Sequence, residues 1–344
     1  MSKKLMKGNE AIAEAAVRAG CRFFFGYPIT PQNQIPEYMS KRLPEVGGVF
    51  LQAESEIAAI NMVYGTSGAG KRVMTSSSSP GISLKQEGIS YIAGAELPAV
   101  IVNIMRCGPG LGGILPSQSD YFQATRGGGH GDYRTIVLAP AGVQEACDLT
   151  YKAFDLADKY RMPVVVLGDG MIGQMMESVE LPEFNNNLPS KPWATTGANG
   201  GEKRLINSLY IEAEELEKVN MRLLQRYSEI EQKEVMYEQE MIGDASFIVT
   251  AYGTVARLAK KAVKLAREKG VKVGLIRPIT LWPFPNKPFR ELAGLVKCCL
   301  TVEMSCGQMV DDVRLAVNGA YQVRFYGRTG GVIPSVNEIL DQIL

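Results

Sequence analysis

The stretch "LQAESEIAAIN" holds two carboxylates, and they differ in what surrounds them. On a helix, Glu56 shares a face with Ala59, Ile60 and Val63, whereas Glu54 falls beside Asn61 on the polar side. A carboxyl group among apolar neighbours is costly to ionise, so its pKa rises unless a partner stabilises the anion. Such a group is suited to holding or sharing a proton. The ordinary alternative is a helix-start carboxylate favoured by the macrodipole, and Glu54 fits it better than Glu56. A second candidate is "YPITPQNQIPEYM", where Pro28 and Pro31 bracket Thr30. Pro31 suits the first position of a helix, which predicts Thr30 at the N-cap. A helix N-terminus at a strand's carboxyl end also attracts anions.

Arg106 closes the apolar run "PAVIVNIM" and opens a Gly/Pro loop, and a guanidinium there can grip a carboxylate with two parallel hydrogen bonds. "SSSSPG" (76–81) adds hydroxyls and a tight turn before another helix start. "PSQSDYFQATRGGGHGDYR" brings Ser117, Asp120, Arg126 and His130 into a glycine-rich loop, where functional side chains concentrate.

Other chemistries are excluded by counts. His130 is the one histidine in 344 residues, so a two-histidine zinc site within the chain is impossible and a Ser-His-Asp triad has a single candidate. The six cysteines form no C-x-x-C pair, which argues for buried thiols and against an iron–sulfur cluster or structural zinc held by this chain. A net charge of +1 points to neither nucleic acid nor membrane. No apolar run approaches a bilayer span and no signal peptide is visible, so the expected location is cytoplasmic. "GTSGAGKR" (65–72) imitates a phosphate-binding loop, but Arg72 stands where a hydroxyl should hold Mg2+, and the helix precedes the segment instead of following it. The Gly168-Asp169-Gly170 turn, with Asn199 downstream, imitates a diphosphate–Mg2+ motif. A linker separates the two, so Asp169 reads as a turn residue and no metal ligand is assigned.

These residues need elements to hold them. Through residue 185 apolar runs alternate with helical patterns: "NEAIAEAAVRAG" (Asn9 as a possible N-cap), "CRFFFG", "SEIAAINMVYGTSGAG", "RVMTS", "GISLKQEGISYIAGA", "PAVIVNIM", "GVQEACDLTYKAFDLADKY" and a final strand "MPVVVLGD". This predicts an α/β fold with a doubly wound parallel sheet, whose chemistry lies just beyond Phe25, Met74, Met105 and Leu167. Residues 186–242 read as a Pro/Asn/Gly linker and a long charged helix, and 243–344 as a second, smaller α/β domain.

Taken in order, YPITP, ESEIAA, SSSSPG, MRCGPGLGGILPSQSD and GHGD over residues 1–185 resemble the pyrimidine-binding domain of 2-oxoacid:ferredoxin oxidoreductase alpha subunits. "AYGTVAR", "GLIRPITLWPFP" and "VEMSCGQMVDDVR" resemble the transketolase C-terminal-like domain of the same subunits, and the branched-chain, 2-ketoisovalerate type is the nearest in pattern. The resemblance implies thiamine diphosphate shared with a beta subunit and contacted here by Tyr27, Pro28, Ile29, Ser79, Pro80 and Gly81. Glu56 becomes the acid beside the pyrimidine ring, with Thr30 and Arg106 on the substrate carboxylate. Ser117 matches a position that is Thr in relatives acting on a different oxoacid. Mg2+ and 4Fe–4S clusters are then expected in partner subunits, including small gamma and delta ferredoxin-type chains. Coenzyme A is the expected co-substrate, ferredoxin or flavodoxin the electron acceptor, and the isolated chain is expected to be inactive. The rival readings are a non-catalytic scaffold subunit, a self-sufficient thiamine-dependent transferase and a 2-oxoglutarate- or pyruvate-specific member. Specificity for 2-oxoglutarate needs a second cation, for which Arg126 and Arg134 are candidates.

Overall fold

Fourteen strands and twelve helices alternate through a computed structural model that describes residues 3–198 and 201–344. The first half runs β1 (Lys4–Lys7), α1 (Gly8–Arg18), β2 (Phe23–Gly26), α2 (Gln34–Glu45), β3 (Val49–Gln52), α3 (Glu56–Gly68), β4 (Val73–Ser77), α4 (Ser79–Gly94) and β5 (Ala99–Met105). It continues through α5 (Tyr121–Arg126), β6 (Ile136–Leu138), α6 (Val143–Tyr160), β7 (Pro163–Asp169), α7 (Gly170–Gln174) and β8 (Met176–Val179). The charged helix α8 (Ala213–Lys233) and β9 (Tyr237–Glu240) lead into β10 (Phe247–Thr250), α9 (Gly253–Glu268), β11 (Val273–Pro278) and β12 (Thr280–Trp282). The chain ends with α10 (Asn286–Arg290), β13 (Cys298–Glu303), α11 (Met309–Val317), β14 (Gln322–Gly327) and α12 (Val336–Ile343).

Two sheets result. The larger has the order β12-β6-β7-β5-β4-β2-β3 and is parallel except at β12. Its central strands β5 and β7 are buried at every residue, as continuous Val/Ile/Leu runs demand when helices cover both faces. Each such aliphatic side chain contributes roughly 1.5–3 kcal/mol on burial. The smaller sheet, β14-β13-β10-β11-β9, is parallel except at β9. Two elements cross the expected divisions. β9 lies in the segment read as linker and helix yet forms an edge of the second sheet, and β12 belongs to the C-terminal region yet extends the first sheet beside β6. The short strands β1, β3, β6 and β8 and the one-turn helix α5 went unread, because three- or four-residue runs and a single turn show no period.

Two helix starts differ from expectation. α2 begins at Gln34 behind Asn33, not at Pro31, and the Thr30–Pro31 peptide is cis. Thr30 therefore caps no helix. α1 begins at Gly8, which places Asn9 inside it, fully buried. The Asn9 side-chain amide donates to the Pro31 carbonyl at 2.9 Å and to Gln34 Oε1 at 2.8 Å, so Asn9 fastens the proline loop to α1.

Candidate functional site

Ser55 caps α3 by accepting from the Ala58 amide at 3.2 Å, and this sets Glu56 in the first turn with its side chain turned inward, 6% exposed. Ala59, Ile60 and Val63 are buried on the same face, while Glu54 is exposed. The carboxyl group lies against Gly81 at the start of α4. A Cβ at position 81 would stand 2.5 Å from Glu56 Oε1 and 2.1 Å from Ser77 Oγ. One at Gly88 would stand 2.4 Å from Ile60 Cγ2. The two glycines thus let α4 lie directly on α3, and Gly81 leaves the carboxylate room that any other residue would fill. Among the described residues Glu56 accepts no hydrogen bond. The neighbouring Ser77 and Ser78 hydroxyls are buried and also without partners. Buried polar groups are normally satisfied, so this concentration of unmet donors and acceptors fits a bound polar ring.

Arg106 closes β5 at 6% exposure. Its Nη1 donates to the Thr30 carbonyl at 3.1 Å and its Nη2 to the Leu111 carbonyl at 2.9 Å, while the buried Nε has no acceptor. The sequence candidates Thr30 and Arg106 therefore meet, through the Thr30 backbone and not its hydroxyl. Ser79 braces the strand end from α4: its hydroxyl accepts from the Arg106 amide at 3.0 Å and donates to Asp120 Oδ2 at 2.6 Å. Asn103 completes the brace, donating to Asp120 at 2.9 Å and accepting from the Ser79 amide at 3.2 Å. Burial pushes the Asp120 carboxyl up from its usual range, against the lowering pull of Ser79 and Asn103. A cleft of about 350 Å³ opens over this group, bounded by Ser79, Pro80, Arg106 and Asp120 from the first domain and by Gln308 and Thr329 from the second. Asn103 was missed by sequence reasoning, although a lone amide in an otherwise apolar strand was a visible signal.

The remaining candidates separate clearly. Tyr27 and Pro28 are exposed and Ile29 half-buried at the carboxyl end of β2. Ser117 is buried and faces the second domain, donating to the Met304 carbonyl at 3.3 Å and lying 2.9 Å from the Ser119 hydroxyl. The cleft wall at that point is Ser119. Arg126 pairs with Asp312 at 2.8 Å, and Arg134 donates to the Arg126 carbonyl at 3.4 Å. Neither lines the cleft. His130 is exposed, edge-on to Tyr91. Within "GTSGAGKR", residues 65–68 are the end of α3, and Arg72 is buried on Asp155 and Asp158, which leaves no phosphate loop. Asp169 is buried, accepts from the Met171 and Ile172 amides, and receives the Thr254 hydroxyl at 2.9 Å. It caps α7 and joins the domains; Asn199 lies outside the described residues. Among the described residues no group of three or more His, Cys, Asp or Glu is arranged for a metal, and no helix is long and apolar enough to cross a membrane.

Comparison with known proteins bears on the same surfaces. Residues 14–208 match the family described as "Pyruvate flavodoxin/ferredoxin oxidoreductase, thiamine diP-bdg", and residues 245–339 match "Pyruvate:ferredoxin oxidoreductase core domain II". The chain is 52% identical over 344 residues to ketoisovalerate oxidoreductase subunit VorB of Methanothermobacter thermautotrophicus, covering 100% of this chain and 97% of that one. It is 38% identical to 2-oxoglutarate synthase subunit KorA of Methanothermobacter marburgensis, covering 98% of each. A solved 2-oxoglutarate:ferredoxin oxidoreductase from Magnetococcus marinus, with 2-oxoglutarate, coenzyme A and succinyl-CoA bound, superposes with a TM-score of 0.90 at 26% identity. That match covers 99% of this chain and 65% of the other. A split-gene transketolase, at 14% identity and a TM-score of 0.60, shares the fold. A thiamine-type domain match over more than half the residues, with half-identity to a relative from end to end, leaves one conclusion: this chain belongs to the 2-oxoacid:ferredoxin oxidoreductase family.

Proposed function

We propose that this chain is the alpha subunit of an oxidoreductase that converts a branched-chain 2-oxoacid and coenzyme A to acyl-CoA and carbon dioxide, passing two electrons to ferredoxin or flavodoxin. The single observation that supports it most is the buried Glu56 carboxyl group, unbonded and set against Gly81. Thiamine diphosphate, when bound, supplies the nucleophile for the 2-oxo carbon and the electron sink for decarboxylation. Glu56 would hold the proton that its aminopyrimidine ring shares, with Ser79, Pro80 and Gly81 on one side and Tyr27, Pro28 and Ile29 on the other. Arg106, through its free buried Nε, and Thr30 would orient the substrate carboxylate toward the ring. Ser117 would set the pocket wall by fixing Ser119 and the second domain.

The remaining parts belong to partners in this reading: a beta subunit with Mg2+ and 4Fe–4S clusters, and small ferredoxin-type chains. Tyr27, Leu51, Ile57, Leu84, Leu111 and Ile114 are large exposed apolar residues, most of them near the ends of β2–β4 and the cleft, and an apolar rim of this kind suits a partner surface. Residues 1–185 act as the pyrimidine-binding domain and 243–344 as the transketolase C-terminal-like domain. The expected setting is branched-chain amino acid catabolism in an anaerobic cytoplasm. The branched-chain choice is favoured because Arg106 is the cation among the residues lining the cleft, whereas a dicarboxylate needs two. The test is to purify the native complex and screen 2-oxoacids with coenzyme A and a low-potential dye. Preference for 3-methyl-2-oxobutanoate is expected, and selective use of 2-oxoglutarate would overturn the substrate assignment.

A further inference from the structure

Gln32 follows directly on the YPITP stretch, is fully buried, and has no part in the proposed reaction. A buried primary amide is costly unless both its oxygen and its nitrogen are bonded, and in Gln32 both are. Its Oε1 accepts from the Ser76 hydroxyl at 2.5 Å, and its Nε2 donates to the Tyr27 carbonyl at 3.3 Å. Its backbone amide donates to the Ile29 carbonyl at 3.1 Å, so one residue holds the loop at two points. The need for a side chain here lies in the sheet. β2 and β4 pair at Phe23 with Val73 and at Phe24 with Met74, and the ladder stops there, although β2 runs on to Gly26 and β4 to Ser77. The strands therefore part at their carboxyl ends, and the Gln32 amide bridges the gap between the Tyr27 loop and β4. Ser76 is a firm anchor, fully buried, with its carbonyl accepting from the fully buried Lys85 of α4 at 3.5 Å. Successive side chains of a strand point to opposite faces. Ser77, the next residue, accordingly turns to Gly81, where the Glu56 carboxyl group also lies. One strand end thus carries the Tyr27 loop through Ser76 and borders Glu56 through Ser77. The far end of the loop is tied separately, by Arg106 on the Thr30 carbonyl and by Asn9 and Gln174 on the Pro31 carbonyl.

We propose that Gln32 is a positioning residue that sets the width of the ring site: it holds Tyr27, Pro28 and Ile29 at a fixed distance from the end of β4, and hence from Gly81 and Glu56. The inference rests on the assignment of those residues to the thiamine ring under the proposed function. Without the amide, the Tyr27 carbonyl and the Ser76 hydroxyl lose these bonds. The β2 end of the loop then drifts from β4 while the Thr30–Pro31 end stays tied. A ring gripped from two sides loses the fixed place of one side, and the effect falls on binding.

The experiment uses the purified complex and Gln32→Met, which keeps the length of the side chain and removes both of its bonds. Hydrogen exchange read by mass spectrometry follows the loop without cofactor, and quenching of intrinsic fluorescence gives the Kd for thiamine diphosphate. The amides of Tyr27, Ile29, Thr30 and Gln32 are expected to exchange about tenfold faster while those of β5 do not change, and Kd is expected to rise about tenfold, the worth of one net hydrogen bond. Turnover should recover when the cofactor is raised to saturation. A variant that loses stability but keeps its Kd overturns the proposal, because Gln32 is then only structural. Gln32→Met combined with Ser76→Ala guards against a misfolded single variant, since it removes the hydroxyl left without a partner. Stability should recover in the double variant while Kd stays raised, and a Kd that recovers with stability overturns the proposal. Failure of the proposed function reads differently: the native complex then binds no thiamine diphosphate, while the exchange difference in the loop persists.

Discussion

Two buried glutamates, Glu56 in the first domain and Glu303 in the second, sit at helix N-termini and have opposite fates. Glu303 ends β13 and takes the amides of Gln308, Met309 and Val310 at 3.0–3.3 Å, with the Ser305 hydroxyl at 2.9 Å. Burial pushes its carboxyl group up from the usual range while these donors pull it back. Glu56 is nearly as buried and receives no donor among the described residues. One carboxylate is spent on closing α11 against the sheet; the other has no donor of its own and, under the proposed function, is the group that meets the bound ring. Satisfaction, not burial, is what separates the two, and the proposed function assigns the chemistry to the unsatisfied one.

The sharpest way to break this contrast is to neutralise each acid in turn. Glu56→Gln is expected to lower turnover of the complex by about 100- to 10,000-fold, the usual range for a positioned acid or base. Its denaturation midpoint should hardly move, since no hydrogen bond is lost. Steady-state assays beside urea unfolding check both halves, and a scaffold subunit would keep its turnover. Glu303→Gln should do the reverse. Losing charge-assisted bonds to the α11 amides costs about 2–3 kcal/mol of stability, while kcat of the folded complex stays within a few-fold. If Glu303→Gln instead removes turnover without loss of stability, the contrast fails.

Lys85 sharpens the comparison through pH. Its pKa of about 8 lies below the ordinary value of 10.5, so between those limits the unfolded chain binds more protons than the folded one. Stability relative to the Lys85→Met variant should then rise as pH increases from 8 to 10.5 and stay level below 8. At about 1.4 kcal/mol per unit the full rise is on the order of 3 kcal/mol. Urea titrations of both forms at several pH values measure it, and parallel curves would show that the ammonium group is not buried.

Much of this was legible in the sequence because it rests on periodicity. The apolar runs of β5 and β7 and the face shared by Glu56, Ala59, Ile60 and Val63 are local patterns that need no tertiary information. What escaped depends on contacts made across the fold. Pro31 looked like a helix start, yet Asn9 draws the loop onto α1 and delays α2 to Gln34. Asp169 looked like a turn residue, and only the approach of Thr254 from α9 reveals it as a domain link. Lys85, a charge between glycines on α4, reads as an ordinary surface lysine, and only the packed fold shows it fully buried.

The smallest expected effect concerns Ser117, which stands between the two domains. Its hydroxyl donates to Met304 and accepts from the Ser119 amide at 3.2 Å, beside Gln118, whose own amide donates to the Met304 carbonyl at 2.8 Å. Gln118 Nε2 adds a bond to the Tyr252 carbonyl at 2.9 Å, so the domain contact does not hang on Ser117 alone. Ser117→Ala should therefore cost about 1 kcal/mol of stability and shift KM for the 2-oxoacid by no more than a few-fold, with kcat unchanged. The reason is geometric: Ser119, not Ser117, forms the cleft wall, so the substrate feels Ser117 only through its neighbour. A change of preferred 2-oxoacid in Ser117→Ala, measured as a ratio of kcat/KM values, would show instead that this hydroxyl reaches the substrate and that the satisfied second-domain contact is itself part of the site.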